Sequence, residues 1–192
     1  MIMGSWSGVT GPVLVLVMVT LGAPGPAAAQ AFDGEYAFRV LSEAGDSTVV
    51  RGRFVLSSTP FDLGALPESV AWPARVRSRW ALGLDGFEPT ACFGFESRPR
   101  AVNGRPFYGG GIVSGFSQWR ILGDLVIVPV YQISNAAQHL RVRRTPSGLE
   151  GRVIQWTWWG GDSAEWLRVV AERVGEASLD ACESILRMAD SG

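Results

Sequence analysis

The chain has 192 residues, with 17 basic and 18 acidic side chains, one histidine, two cysteines and 47% hydrophobic residues. A net charge of −1 removes the attraction that drives non-specific nucleic-acid binding, and no basic stripe interleaved with aromatics replaces it, so nucleic acid is not an expected partner. Eight tryptophans and nine phenylalanines supply enough apolar surface to offset the entropy of ordering the chain, which excludes wholesale disorder. Every basic residue is arginine, which reads as the codon bias of a GC-rich genome before it reads as function.

No charged side chain precedes Asp33. Within that stretch an apolar run from Val13 to Ala23 is followed by Pro24, Pro26 and Ala27-Ala28-Ala29, the pattern of a secretory signal peptide cleaved after Ala29, with Ala31 as second choice. A membrane span needs about 20 consecutive apolar residues, and Pro12, Gly22 and Pro24 interrupt this one. The expected organisation is a signal peptide over 1–29 and one domain over 30–192, secreted or periplasmic, with no stable membrane anchor after cleavage. Export permits a persistent disulfide, and Cys92 and Cys182 can make one internal bridge. Closing a loop of that size contributes about 4–5 kcal/mol. The alternative is two unpaired buried thiols.

From 34 to 159 apolar residues alternate with period two, punctuated by Gly, Pro, Asp and Asn, which signals antiparallel strands. Tyr36, Phe38 and Val40 share one face of a first strand, Glu43-Ala44-Gly45-Asp46 turns, and Thr48 to Leu56 returns. Ser57 to Pro73 holds Pro60, Gly64, Pro67 and Pro73 and reads as a long connection in which a strand is not expected. A second hairpin is expected from Arg75–Trp80 to Ala91–Glu96 across Asp85-Gly86, with Phe93 and Phe95 on one face and Cys92 on the other. After a loop from Ser97 to Gly111, strands are expected over 112–119, 124–132, 139–144 and 150–159. The strand Leu125–Tyr131 is apolar on both faces, so its outer side needs a cover, which the C-terminus offers.

Residues 164–174 read either as a helix capped by Asp162, with Leu167, Val170, Ala171 and Val174 on one face, or as a strand. The strand is preferred, because a hairpin gives the tryptophan-rich 150–159 a partner. Ser178 to Ala189 places Leu179, Cys182, Ile185, Leu186 and Ala189 at helical spacing. The expected fold is mainly β: an antiparallel up-and-down barrel of about eight strands, or nine, with a C-terminal amphipathic helix. A two-sheet sandwich is the alternative.

This arrangement resembles the lipocalin-like (calycin) barrels. The chain is exported, its strands follow in meander order, a late helix packs outside, and a disulfide ties a middle strand to the C-terminal segment. The opening Phe32-Asp33-Gly34-Glu35-Tyr36 is similar to that family's Gly-x-Trp start, with Tyr in place of Trp. The resemblance implies carriage of a small apolar ligand in the barrel. Residues expected to line the site are Tyr36, Phe38, Trp80, Phe93, Phe116, Trp156 and Trp158. Packing of these aromatics into a filled core is the competing expectation.

Little points to catalysis. His139 alternates with Arg141 and Arg143, which puts it on the polar face as a solvated histidine. One histidine and two bridged cysteines cannot furnish a zinc site, so no metal is expected. Gly115-Phe116-Ser117-Gln118-Trp119 lacks the last glycine of a nucleophile elbow, and Gly109-Gly110-Gly111 lacks the Lys-Ser/Thr of a phosphate loop. No catalytic residue and no cofactor are implied. The expectation is therefore an exported barrel binding a small apolar ligand. The alternative is a structural or interaction module of a cell-envelope complex with a packed interior, docking on an envelope protein partner.

Overall fold

The structure is a computed structural model that describes residues 26–45, 47–74, 88–97, 101–102, 105–106, 111–133, 136–157 and 163–188. A short helix α1 (Pro26–Gln30) leads into the hairpin β1 (Gly34–Leu41) and β2 (Thr48–Leu56). Residues 68–74 are helical (α2). There follow β3 (Ala91–Ser97), the two-residue arms β4 (Ala101–Val102) and β5 (Arg105–Pro106), β6 (Gly111–Ser117) and β7 (Arg120–Leu122). The long meander β8 (Leu125–Ile133), β9 (Ala136–Thr145), β10 (Gly148–Thr157) and β11 (Ser163–Gly175) then runs into α3 (Leu179–Arg187).

Nine strands form one antiparallel sheet in the order β6-β3-β2-β1-β11-β10-β9-β8-β7. Laid flat, its two edges would stand roughly 38 Å apart at a strand spacing of about 4.8 Å. The chain joins edge strands β6 and β7 through Gln118 and Trp119 alone. Three residue steps span at most about 11 Å, so the edges are drawn together there and the sheet curls into a half-barrel. β7 pairs only with Leu125 to Ile127 of β8, and the rest of β8 has β9 as its sheet partner, with an irregularity between Pro129 and Tyr131. A proline that cannot donate to a ladder is suited to such an edge. The strand reading of 164–174 holds: β11 joins β10 to β1 and so links the two ends of the chain's meander.

Period-two alternation sends one set of side chains inward, where Tyr36, Phe38, Val40, Phe54, Phe93, Phe95, Val128, Leu140, Val142, Val153 and Val169 form the inner core. The opposite faces of β2, β3 and β6 contribute Val55, Cys92 and Phe116 to a second core, closed by Leu66, Val70 and Ala74 and by Cys182, Ile185 and Leu186 of α3. α3 starts at Ser178, whose hydroxyl accepts from the Ala181 N–H at 3.1 Å, and carries Asp180 in its first turn and Arg187 in its last. Gly94 of β3 makes its seat: a Cβ there would lie 2.8 Å from Cγ2 of Ile185. The sulfurs of Cys92 and Cys182 are at disulfide-bonding distance, with Cα atoms 5.5 Å apart.

The connection 57–73 holds no strand, as expected, and is partly helical: Asp62 accepts from the Gly64 N–H at 2.9 Å, and the Pro67 carbonyl accepts from Val70 and Ala71. Val70 and Ala74, one helical turn apart, are then buried in the second core beside Leu66, which precedes the helix in extended backbone. Contrary to expectation, the tail does not cover β8, because α3 lies on β2, β3 and β6 instead. Ile127 of β8 is flanked in register by Arg120 and Arg141, whose aliphatic stems are the available cover. The expected first arm of the second hairpin, 75–80, lies outside the described residues, as do residues 1–25. Among the described residues no helix is long and apolar enough to cross a membrane.

Candidate functional site

The inner face was the expected ligand site, and three of its expected residues meet there. Tyr36 stacks on Phe54 with centroids 5.2 Å apart, and Phe54 lies 5.6 Å from Phe38. Phe38 meets Phe95 edge-on at 6.4 Å, and Phe95 stacks on Phe93 at 6.3 Å. This chain of rings is continuous because Gly52, opposite Phe38 and Phe95 in register, carries no side chain; a Cβ there would lie 2.5 Å from both. Tyr36, Phe38 and Phe93 are 4%, 2% and 4% exposed. The Tyr36 hydroxyl donates to the Phe32 carbonyl at 3.0 Å, and burial raises its pKa despite nearby Arg173 and Arg144. Its polar end is therefore already committed.

Phe116 does not join them. It faces Cys92 in register and packs under α3, while Val113 of the same strand touches the inner core. Sequence reasoning put the bulky residue of Gly115-Phe116-Ser117 inward, whereas in this strand the small neighbours take the inner positions and the ring fills the outer core. Trp156 sits in β10 opposite Ala137 and Ser163, with its side chain outside the described residues. Trp80 and Trp158 also lie outside them. Phe54 and Phe95 were missing from the expected set, although both stand on the aromatic faces the alternation defines. Trp119, beside the seam, seals one end: its indole N–H donates to the Ser57 carbonyl at 2.8 Å, and Phe32 meets it edge-on at 6.2 Å.

Two buried amides interrupt the apolar interior. Gln138 and Gln155 are register partners on the inward alternation of β9 and β10. Among the described residues neither amide atom of Gln138, nor Oε1 of Gln155, has a hydrogen-bond partner. An unsatisfied buried amide costs about 1–3 kcal/mol, so this spot marks either tolerated strain or a place for a ligand's polar group.

The outer faces carry two concavities. An apolar groove of about 290 Å³ is lined by Leu63, Leu66, Ala71 and Trp72, with Trp72 63% exposed. An open groove of about 400 Å³ on β8–β11 is lined by Leu125, Arg141, Arg143, Glu150, Arg152 and Arg168. His139, on the same outer alternation, is half-buried and not solvated as expected. Burial, and secondarily the Arg120 charge, lower its pKa from 6.5 to about 4, so it is neutral at pH 7. Among the described residues no three His, Cys, Asp or Glu side chains are grouped to hold a metal. No family model, no curated protein and no solved structure matches this chain.

Proposed function

We propose that this chain is an exported interaction module of the cell envelope: a half-barrel plugged by its own aromatic side chains and used as a rigid scaffold for its outer faces. The observation that carries this reading is the unbroken chain of buried ring contacts from Tyr36 through Phe54, Phe38 and Phe95 to Phe93, on the face where a carried molecule would sit. The apolar leader before Asp33 and the Cys92–Cys182 pair support export. Native mass spectrometry of protein purified from its source, with and without reductant, tests it. The expected result is the bare mature chain, lighter by the leader and oxidised by two hydrogens, alone or with a protein partner. A stoichiometric small apolar adduct would overturn the plugged reading.

That adduct is the mark of the second reading, a lipocalin-like carrier. The curled antiparallel sheet is compatible with it, and the unpartnered Gln138 amide and Gln155 Oε1 favour it, since they leave one donor group and two acceptors for a bound molecule's polar group.

A further inference from the structure

We infer that the outer groove of β9–β11 is an oxyanion site for a ligand carrying two or more phosphate or sulfate groups. Strand register builds it from residues far apart in sequence: Arg152 of β10 faces Arg141 of β9 on one side and Arg168 of β11 on the other. Strands lie about 4.8 Å apart, so three guanidinium stems leave the sheet within about 10 Å of one another. Like charges directly opposite each other across strands are destabilising, and here they occur twice in succession. Arg143, opposite Glu150 in register, adds a fourth cation, and Glu150 is the one carboxylate among the described residues of the lining. Glu150 accepts from Arg168 at 3.0 Å. Among the described residues no carboxylate is within ion-pair distance of Arg143 or Arg152, and both are exposed to the groove.

This concentration is local, because the whole chain carries a net charge of −1. On β1–β2 an arginine pair also meets in register, Arg39 opposite Arg51, but carboxylates flank it: Arg39 is paired to Glu172, Arg51 has Glu96 as its other register partner, and Arg53 is paired to Glu35. A carboxylate brings one charge in a plane. A phosphate brings up to two charges and three acceptor oxygens, which suits several guanidinium forks converging on one concavity. The groove is also within the size range of small-ligand sites. Such groups occur on soluble oligophosphates and on the headgroups of phosphorylated lipids, and the groove's chemistry is common to both.

This inference rests on the outward-working reading of the barrel. Calorimetric titration of the full chain with inorganic triphosphate at low ionic strength is expected to show one saturable site. An Arg143→Gln/Arg152→Gln double variant is expected to bind at least tenfold more weakly. Glu150→Gln, which removes the groove's carboxylate and releases Arg168, is expected to bind several-fold more tightly, a gain that misfolding cannot imitate. Arg187→Gln, on α3 over β2, β3 and β6, is expected to bind as the parent does. Absence of saturable binding, undiminished binding by the double variant, or an equal loss in Arg187→Gln overturns the site. Co-sedimentation with phosphatidylcholine vesicles containing phosphatidylinositol bisphosphate, competed by triphosphate, assigns the anion to a lipid headgroup; triphosphate binding without vesicle capture assigns it to a soluble ligand. Failure of triphosphate to bind leaves the plugged-barrel reading standing, since that reading falls only on an apolar adduct in the interior.

Discussion

The β1–β3 wall and the β8–β10 wall belong to one sheet and follow one alternation, yet they are stabilised differently. The first is packed on both sides: aromatic rings fill its inner face, and α3, tied through Cys92 and Cys182, covers Val55, Cys92 and Phe116 outside. The second is packed on its inner side by valines and leucines, interrupted by two unsatisfied amides, and its outer face is arginine-rich and open. A sheet face covered by a helix is dry and becomes core, whereas a face without one must be polar and is free to meet a ligand. The difference separates the wall that holds the fold together from the wall best placed to bind.

The sharpest test of this contrast removes the tether. Reducing the cysteine pair, or replacing both cysteines with serine, is expected to lower unfolding free energy by about 4–5 kcal/mol in denaturant titrations. Hydrogen exchange should quicken in α3, β2 and β3 before β9 and β10, and a uniform increase across both walls would break the comparison. Phe54→Ala, at a fully buried ring touching both Tyr36 and Phe38, is expected to cost about 3–5 kcal/mol and to open a cavity that admits an apolar fluorescent probe. Uptake of the same probe by the parent chain would contradict the plugged interior.

On the second wall the effects are smaller and their signs differ. His139 takes up a proton at about 6.5 when unfolded but only near 4 when folded. Between those values the unfolded state binds more protons, so this contribution is complete above pH 6.5 and is lost as pH falls toward 4. The expected loss is on the order of 2 kcal/mol after allowance for partial solvent screening, measured as the difference in unfolding free energy between pH 7 and pH 4.5. A His139→Gln variant should flatten that slope, and an unchanged slope would return the histidine to solvent. Gln138→Leu replaces an unpartnered amide with an apolar group of similar size and is expected to raise stability by about 1–2 kcal/mol. A destabilised variant would instead show that the amide has a partner in solution, as the carrier reading requires.

Much of the fold was legible in one dimension, and the residues show why. Tyr36, Phe38 and Val40 alternate with Ala37 and Arg39, and a period of two already divides the strand into a buried and an open face. Leu179, Cys182, Ile185 and Leu186 at helical spacing did the same for α3. The candidate site was less legible. Phe116, expected in the ligand site, is core, but in the core beneath α3, because the alternation alone does not say which face of a strand the helix covers. The helical turn bearing Val70 and Ala74 was hidden by the prolines around it. The arginine groove could not be read at all, since Arg141, Arg152 and Arg168 become neighbours only through the pairing of three strands.

Local periodicity by itself therefore determined which segments extend, which one coils at the C-terminus and which side chains share a face, because those follow from the backbone geometry of each residue and its immediate neighbours. Tertiary structure alone decided which wall the helix covers, whether a face is core or surface, and which charges from distant strands stand side by side. Those depend on register and on curvature, which the chain settles collectively by burying its apolar faces.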